Sequence, residues 1–348
     1  MILLIKNLNK YIFQFTIFVV ALLLFSNSQA KNKDKKIVAV HSYSADFPWT
    51  RMIVDSYEER LKKGKILFTI QHYYLDVKKK PVALDTPHPM LKQIEEDLAK
   101  NPPDLVFITD DFALNQLSPF LVSKKIPFTF AGINGDIPRS VVESKFKSYS
   151  GVFERYYIAD SLHLLQKLLG RKKLKVQLLL EASETSDFVL KYAKEELKKV
   201  SEISTTTLVT NEFKKWQSLT TIKPKEFDAF FILQPFSLRD ESNNYVPTIN
   251  VVSWFAEHSK LPVLYTSGWQ VKCGGTIAIA HRPKMQGVYA AEKTMEAFMG
   301  IYRKSLIPPQ GDIEINYAST EKLGIKIPFD LLSIATIERK TQNPCTPN

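Results

Sequence analysis

A cluster of hydrogen-bonding and aromatic residues follows a short apolar run near residue 40. The run Ile37–Val40 is typical of a buried strand, and His41, Ser42, Tyr43 and Trp49 come soon after it. Imidazole, hydroxyl and phenol groups can orient the polar atoms of a ligand, while an indole offers a flat face to a ring or an alkyl chain. We expect these four side chains to bind a small molecule.

Polar or aromatic residues also follow the other predicted strands. In doubly wound sheets, ligands bind outside the carboxyl ends of the strands, where loops separate and helix N-termini present N–H groups. The sequence therefore predicts one common cleft along this edge. The further predicted ligand-binding residues are Asp110, Asp111, Asn134, Ser183, Gln234, Ser267 and Trp269.

Other interpretations of some of these residues remain open. Asp110 and Asp111 could instead cap the helix that is predicted to start there. Trp49 could be a core aromatic residue, and Asn134 could serve a left-handed turn beside glycine. His41 is better placed in the cleft, because it ends an apolar strand and precedes a serine and a tyrosine.

The motifs give little support to catalysis or metal binding. His41 and Ser42 with an aspartate are a weak triad signal, because adjacent residues of an extended segment point to opposite faces. The sequence contains neither the GxSxG nucleophile turn nor the HExxH metal-binding motif. We expect no enzymatic activity, no cofactor and no bound metal.

The elements that must position the cleft residues alternate along the chain. Apolar runs such as PDLVFIT and KVQLLLEAS are separated by amphipathic helical stretches, and this arrangement occurs twice. Repeated βα units form a parallel sheet that is covered on both faces. The predicted fold is α/β, with two doubly wound parallel-sheet lobes joined by a hinge.

The first 30 residues have the pattern of a secretory signal. Lys6 and Lys10 precede the apolar run YIFQFTIFVVALLLF, and small Ser28 and Ala30 stand where a signal peptidase reads. The rival interpretation is an uncleaved anchor, but an apolar run of about 15 residues is shorter than the roughly 20 that span a bilayer. We expect cleavage before Lys31 and a periplasmic mature protein.

The formal net charge of +11 does not indicate nucleic-acid binding. The basic residues lie in short runs such as KNKDKK and VKKK, without the glycine and aromatic interleaving of a single-strand binder. We interpret these runs as solvated faces.

The chain has two cysteines, Cys273 and Cys345. Neither belongs to a CxxC motif or has a histidine cluster nearby in the sequence, which argues against a zinc site. In an oxidising compartment they could form a disulfide, which would stabilise the fold by roughly 4 kcal/mol on the chain-entropy model. We predict the disulfide, with two free thiols as the alternative.

Six segments distributed over residues 37–337 carry a family pattern. They are HSYSADFPWT, YYLDVKKKP, PDLVFITDDFAL, FTFAGING, YSGVFERYYIADSLHLLQKLL and IEINYASTEKLGIKIPFDLLSIATI. Together they resemble the ABC transporter substrate-binding protein family of the periplasmic-binding protein type I fold, and the last segment is the most specific. The first two also resemble extracytoplasmic sensor domains of the same superfamily.

The resemblance implies two lobes, a hinge of crossing segments and a small ligand held between the lobes. Related members include binders of aromatic amino acids. The predicted division is a signal peptide at 1–30, a first lobe at 31–154 completed by 268–308, a second lobe at 155–267 completed by 309–340, and a tail at 341–348.

The sequence thus predicts a monomeric periplasmic solute-binding protein. It would capture a small organic ligand and deliver it to an ABC permease in the inner membrane. The alternative is a ligand-sensing accessory protein for a membrane receptor, and a secreted hydrolase is a weaker one. The sequence does not identify the ligand.

Overall fold

The structure, a computed structural model, describes residues 34–82, 86–221, 226–308 and 311–340. The predicted signal peptide, the predicted tail and Cys345 lie outside these ranges. Within them, no helix combines the length and the apolar character that crossing a bilayer requires.

The first lobe is built on a five-stranded parallel sheet with the strand order β2-β1-β3-β4-β5. Its elements in chain order are β1 (Lys35–His41), α1 (Pro48–Lys63), β2 (Phe68–Tyr74), α2 (Leu91–Lys100), β3 (Leu105–Thr109), α3 (Asp111–Lys124), β4 (Phe128–Ile133), α4 (Arg139–Val142) and β5 (Tyr149–Phe153).

The second lobe contains a seven-stranded sheet with the order β12-β11-β10-β9-β8-β6-β7, in which only the described β10–β11 pair is antiparallel. The remaining elements in chain order are α5 (Ile158–Leu169), β6 (Leu174–Leu180), α6 (Glu184–Leu197), β7 (Ile203–Val209), α7 (Phe213–Leu219), β8 (Ala229–Gln234), α8 (Thr248–His258), β9 (Val263–Tyr265), α9 (Gly268–Lys272), β10 (Ile277–Ala280), α10 (Pro283–Phe298), β11 (Asp312–Asn316), α11 (Tyr317–Lys322), α12 (Phe329–Leu332) and β12 (Thr336–Glu338).

Apolar residues cover both faces of the first sheet, as a parallel sheet between helices requires. Along β3, Val106 and Ile108 pack into one core cluster, while Leu105 and Phe107 pack into another on the opposite face. This alternation follows from the two-residue period of a strand. The predicted α/β class with two doubly wound lobes is confirmed.

Helix α10 follows β10 of the second lobe but packs on the first lobe, mainly against α1. Gly287 makes this approach possible: a Cβ there would lie 2.2 Å from the carbonyl oxygen of Ile53 and from the hydroxyl of Ser56. Any larger residue would force the two helices apart.

One predicted boundary needs correction. Residues 268–308 were expected to complete the first lobe, but α9 and β10 belong to the second, because β10 pairs in parallel with β9. The return to the first lobe starts only after Ala280, with α10, and Leu306 then bridges to Val152 at the edge of the first sheet. The described chain thus crosses between the lobes at 154–157, at 281–282 and again before β11.

Candidate functional site

A cavity of about 620 Å³ lies between the two lobes, at the carboxyl ends of their parallel strands. Tyr43 and Trp49 line it from the first lobe, and Thr185 and Gln234 line it from the second. The volume falls in the range of small-molecule sites, which bury most of a ligand between apolar walls and a few polar groups. Further aromatic walls come from Phe47, Tyr156, Phe236, Tyr245 and Trp269.

Seven of the predicted ligand-binding residues line this cavity. They are Tyr43, Trp49, Asp110, Asn134, Gln234, Ser267 and Trp269. They come from both sheets, because each follows or ends a strand whose carboxyl end faces the gap between the lobes. The four remaining predicted residues, His41, Ser42, Asp111 and Ser183, are absent from the lining.

His41 was predicted for the cleft, and the structure places it inside the first lobe. Its side chain is fully buried, with Nδ1 3.1 Å from the Thr109 hydroxyl and Nε2 3.0 Å from Nδ1 of His72. Its ring also stacks on Tyr74, at 4.7 Å between ring centroids. Burial, together with the neighbouring His72, lowers the pKa of His41 to about 3, so the ring is a neutral core group.

The hydroxyls of Ser42 and Ser183 hydrogen-bond to nearby backbone groups. The Ser42 hydroxyl donates to the carbonyl of Thr109 at 3.0 Å and accepts from the N–H of Ala113 at 2.9 Å, which ties β1 to the start of α3. Ser183 is the N-cap of α6 and accepts from the N–H of Ser186 at 3.3 Å. Because a small hydroxyl next to a helix start is satisfied locally, neither side chain is part of the cavity lining.

Asp110 points into the cavity and does not cap α3 through its side chain. The indole Nε1 of Trp49 donates to its Oδ1 at 2.9 Å, while Oδ2 is buried and has no hydrogen-bond partner among the described residues. The backbone at Asp110 has φ 66° and ψ 164°, a region that non-glycine residues rarely adopt. Burial, with the negative charges of Glu154 and Asp111 adding to it, raises the pKa of Asp110 well above its usual value.

Asp111 shapes the wall behind the cavity. Its carboxylate accepts from the N–H of Gly135 at 2.7 Å and from the N–H of Asn134 at 3.2 Å, so it fixes the loop after β4. Burial raises the pKa of Asp111 to about 6, although these two N–H donors oppose the shift. The side-chain N–H of Asn134 donates to Glu154 at 3.0 Å. The other end of the amide, the buried Oδ1 of Asn134, has no partner among the described residues.

Three lining residues in or beside the crossing segments escaped the sequence analysis. Glu154 and His281 are buried and lie 2.7 Å apart, Oε1 to Nδ1, and the hydroxyl of Tyr156 accepts from the side-chain amide of Gln234. The pKa of Tyr156 is raised well above its usual value, chiefly by burial. His281 directly follows β10, so recognising the short apolar run IAIA as a strand would have suggested it.

The lobes touch each other through buried polar contacts next to the cavity. Lys78 of the first lobe forms an ion pair with Glu181 of the second, and both side chains are almost completely buried. The hydroxyls of Tyr43 and Thr185 lie 3.3 Å apart, and Arg239 donates to the carbonyl of Lys79 at 3.1 Å. These contacts hold the two lobes together around the cavity.

The structure also limits what else the site could hold. Across the described ranges, no group of three or more histidine, cysteine, aspartate or glutamate residues is arranged to bind a metal ion.

Cys273 is buried at 2% exposure, and its predicted bridge ends at Cys345, which lies outside the described residues, so the disulfide stays a prediction. A two-lobed α/β protein with a cavity between its lobes is the class that fold and site define.

The sequence model of a family described as ABC transporter substrate binding protein matches residues 87–338. The chain belongs to this family, which confirms the resemblance found in the sequence. No match was found among curated proteins.

Solved structures with the same fold cover nearly all of the described chain. A conserved domain protein from Vibrio cholerae has 16% identity and a TM-score of 0.66, with 88% of this chain and 99% of that one covered. An ABC domain from Streptococcus pneumonia, solved in complex with L-Trp, has 18% identity and a TM-score of 0.64 over the same shares. The ligand-free, open structure of CD0873, a substrate binding protein with adhesive properties from Clostridium difficile, has 15% identity and a TM-score of 0.62, with 88% and 100% covered.

Proposed function

We propose that the protein is exported to the periplasm, captures a small organic ligand between its lobes without converting it, and delivers it to an ABC permease in the inner membrane. One observation carries the proposal: a cavity of ligand size is lined from both lobes and flanked by direct contacts between them. A ligand that touches both lobes stabilises the closed form, and it can shift the equilibrium only by its difference in affinity for the closed and open forms.

The binding step can be tested without knowing the ligand. Protein isolated from the periplasm under native conditions should carry a small molecule, visible as added mass that disappears on unfolding. Trp49→Phe, which removes the N–H that faces Asp110, should retain less of it. Trp254→Phe is the matched control, because Trp254 stacks on His258 at 3.8 Å on α8 and does not line the cavity. A wild-type protein of bare chain mass, to which no compound binds, would contradict the proposal.

Delivery of the ligand to a permease has to be tested in living cells. Once the carried compound is identified, its labelled form should enter cells that produce the protein, and uptake should fall when the gene is deleted. Normal uptake combined with a lost transcriptional response to the compound would favour the sensing alternative over transport.

A further inference from the structure

The positively charged side chains that line the cavity already have partners within the protein. Every described lysine there already faces a carboxylate. The pairs are Lys78 with Glu181, Lys79 with Asp46, and Lys272 with Glu338. No arginine lines the cavity in the part of the chain that the structure describes. A carboxylate on a ligand would therefore have to compete with an acid of the protein for every one of these cations.

Unpaired acceptors, in contrast, do occur at the cavity. The buried oxygens Oδ2 of Asp110, Oδ1 of Asn134 and Oε2 of Glu314 have no hydrogen-bond partner among the described residues, nor does the buried ring nitrogen Nε2 of His281, and all four residues line the cavity. A buried acceptor without a donor is costly, so native proteins satisfy such atoms with protein, water or ligand. The three oxygens call for N–H or O–H donors, and two of them belong to carboxyl groups.

Several features of the structure fix the position of Asp110. Asp110 is 1% exposed, has a backbone φ of 66° that non-glycine residues rarely adopt, and lines the cavity. Gly132 leaves room for this arrangement: a Cβ there would lie 2.9 Å from Oδ1 of Asp110 and 3.3 Å from Nε1 of Trp49. Because the indole N–H occupies Oδ1, only Oδ2 is free to accept from a ligand.

The walls around this carboxyl group suit a cation attached to an apolar body. Aromatic rings attract a cation through their electron-rich faces, and tryptophan does so most strongly. Trp49, Tyr156 and Trp269 line the same cavity as Asp110. An ammonium group at Asp110 would have a carboxyl oxygen to donate to, while an aryl or alkyl body would contact these rings.

We propose that the ligand is an organic amine, bound as its ammonium form at Asp110 with an apolar, aryl-containing body and without a carboxylate of its own. This inference rests on the proposed solute-binding function and narrows its substrate class. Asp110 would bind the ammonium group, and the absence of an unpaired lysine or of an arginine from the described lining disfavours a carboxylate on the same ligand.

The test compares matched pairs of compounds on the full mature chain after removal of any carried ligand. Tryptamine is set against tryptophan and indole-3-propionate, and tyramine against tyrosine, with affinity measured by calorimetry up to about 1 mM. The wild type should bind at least one amine roughly tenfold or more tighter than its carboxylate-bearing partner, because a desolvated carboxylate without a free cationic partner costs at least that much in affinity.

Two variants assign the effect to one residue. Asp110→Asn keeps the shape and an acceptor for Trp49, removes the charge and should weaken amine binding roughly tenfold or more. Asp55→Asn, on the exposed side of α1 in the same lobe, should leave the affinity unchanged. Melting temperatures of both variants show whether either substitution has disturbed the fold.

Three results would overturn the inference: equal or tighter binding of the amino acids, amine binding that survives Asp110→Asn, or no binding of either amine. A neutral or anionic compound carried through purification would also overturn it while leaving the solute-binding function intact. Failure of the function itself has another signature, namely a wild-type protein that carries and binds nothing.

Discussion

The ion pair between Lys78 and Glu181 makes closure of the lobes testable. Lys78→Met removes the cation and keeps an apolar stem of similar length, so Glu181, which is 0% exposed, loses its only cationic partner across the lobes among the described residues. Glu181 still accepts from the N–H of Ser237 at 2.6 Å and from the hydroxyl of Ser183 at 3.0 Å. In an open form water would solvate the carboxylate, so the penalty falls on the closed form.

The size of this penalty follows from the burial of the pair. Removing one partner of a buried ion pair costs about 3–5 kcal/mol. The donors that Glu181 retains within its own lobe favour the lower end, about 3 kcal/mol, which corresponds to a roughly 100-fold shift toward the open form. Lys63→Met is the matched control: Lys63 pairs with exposed Glu59 on the same helix of the first lobe, neither residue lines the cavity, and such surface pairs contribute little to stability.

Small-angle X-ray scattering against concentration of the carried ligand measures the effect. The ligand concentration at which half of the protein has contracted should rise by up to roughly 100-fold in Lys78→Met and stay near the wild-type value in Lys63→Met. Because Lys78 also lines the cavity, its replacement could affect ligand contacts directly, so Glu181→Gln is a second test variant. Glu181 is not part of the lining, and the loss of its charge should likewise raise the ligand concentration needed for contraction. Wild-type behaviour of both Lys78→Met and Glu181→Gln would refute the reasoning.

Four further predictions follow from the site and the sequence. Trp49→Ala should weaken the carried ligand by roughly 1–3 kcal/mol, about 5- to 150-fold in calorimetry, with a modest change in melting; unchanged affinity with a large fall in melting temperature would make it a core residue. The mature protein should begin at Lys31, and N-terminal sequencing that finds the intact precursor in a membrane fraction would refute this. Alkylation of unfolded, unreduced protein should label neither Cys273 nor Cys345, whereas two labelled thiols would exclude the bridge. Burial raises the pKa of Asp110, which faces Asp111, Glu154 and the phenols of Tyr43 and Tyr156. Since an ammonium ligand requires the carboxylate form, whose population grows with pH, tyramine affinity should rise between pH 6 and 8 in the wild type, and a flat profile or the same rise in Asp110→Asn would contradict this.

The sequence was sufficient for the architecture of both lobes. Runs such as Leu105–Thr109 are continuously apolar, and such runs alternate with amphipathic helical stretches, which specifies parallel sheets between layers of helices. The rule that ligands lie at the carboxyl ends of strands then located Tyr43, Asp110, Asn134 and Gln234, all of which line the cavity. Local periodicity and chain order are enough for conclusions of this kind.

Only the tertiary structure decided which side chain of each loop faces the cavity. His41 and Tyr43 follow the same strand, yet His41 turns toward His72 on the neighbouring strand while Tyr43 reaches Thr185 on the other lobe. Asp110 and Asp111 are adjacent and chemically identical, and the backbone conformation of Asp110 separates a cavity residue from a loop-fixing one.

The residues of the crossing segments depend on tertiary structure even more strongly. Glu154 and His281 are far apart in the chain and meet only because two crossings run side by side between the lobes. The short strand Ile277–Ala280 was missed because four residues carry little periodic signal, and its partner Asp312–Asn316 runs antiparallel after a helix that returns to the first lobe. Contacts between distant segments arise from packing of whole lobes, and no local pattern in the chain encodes them.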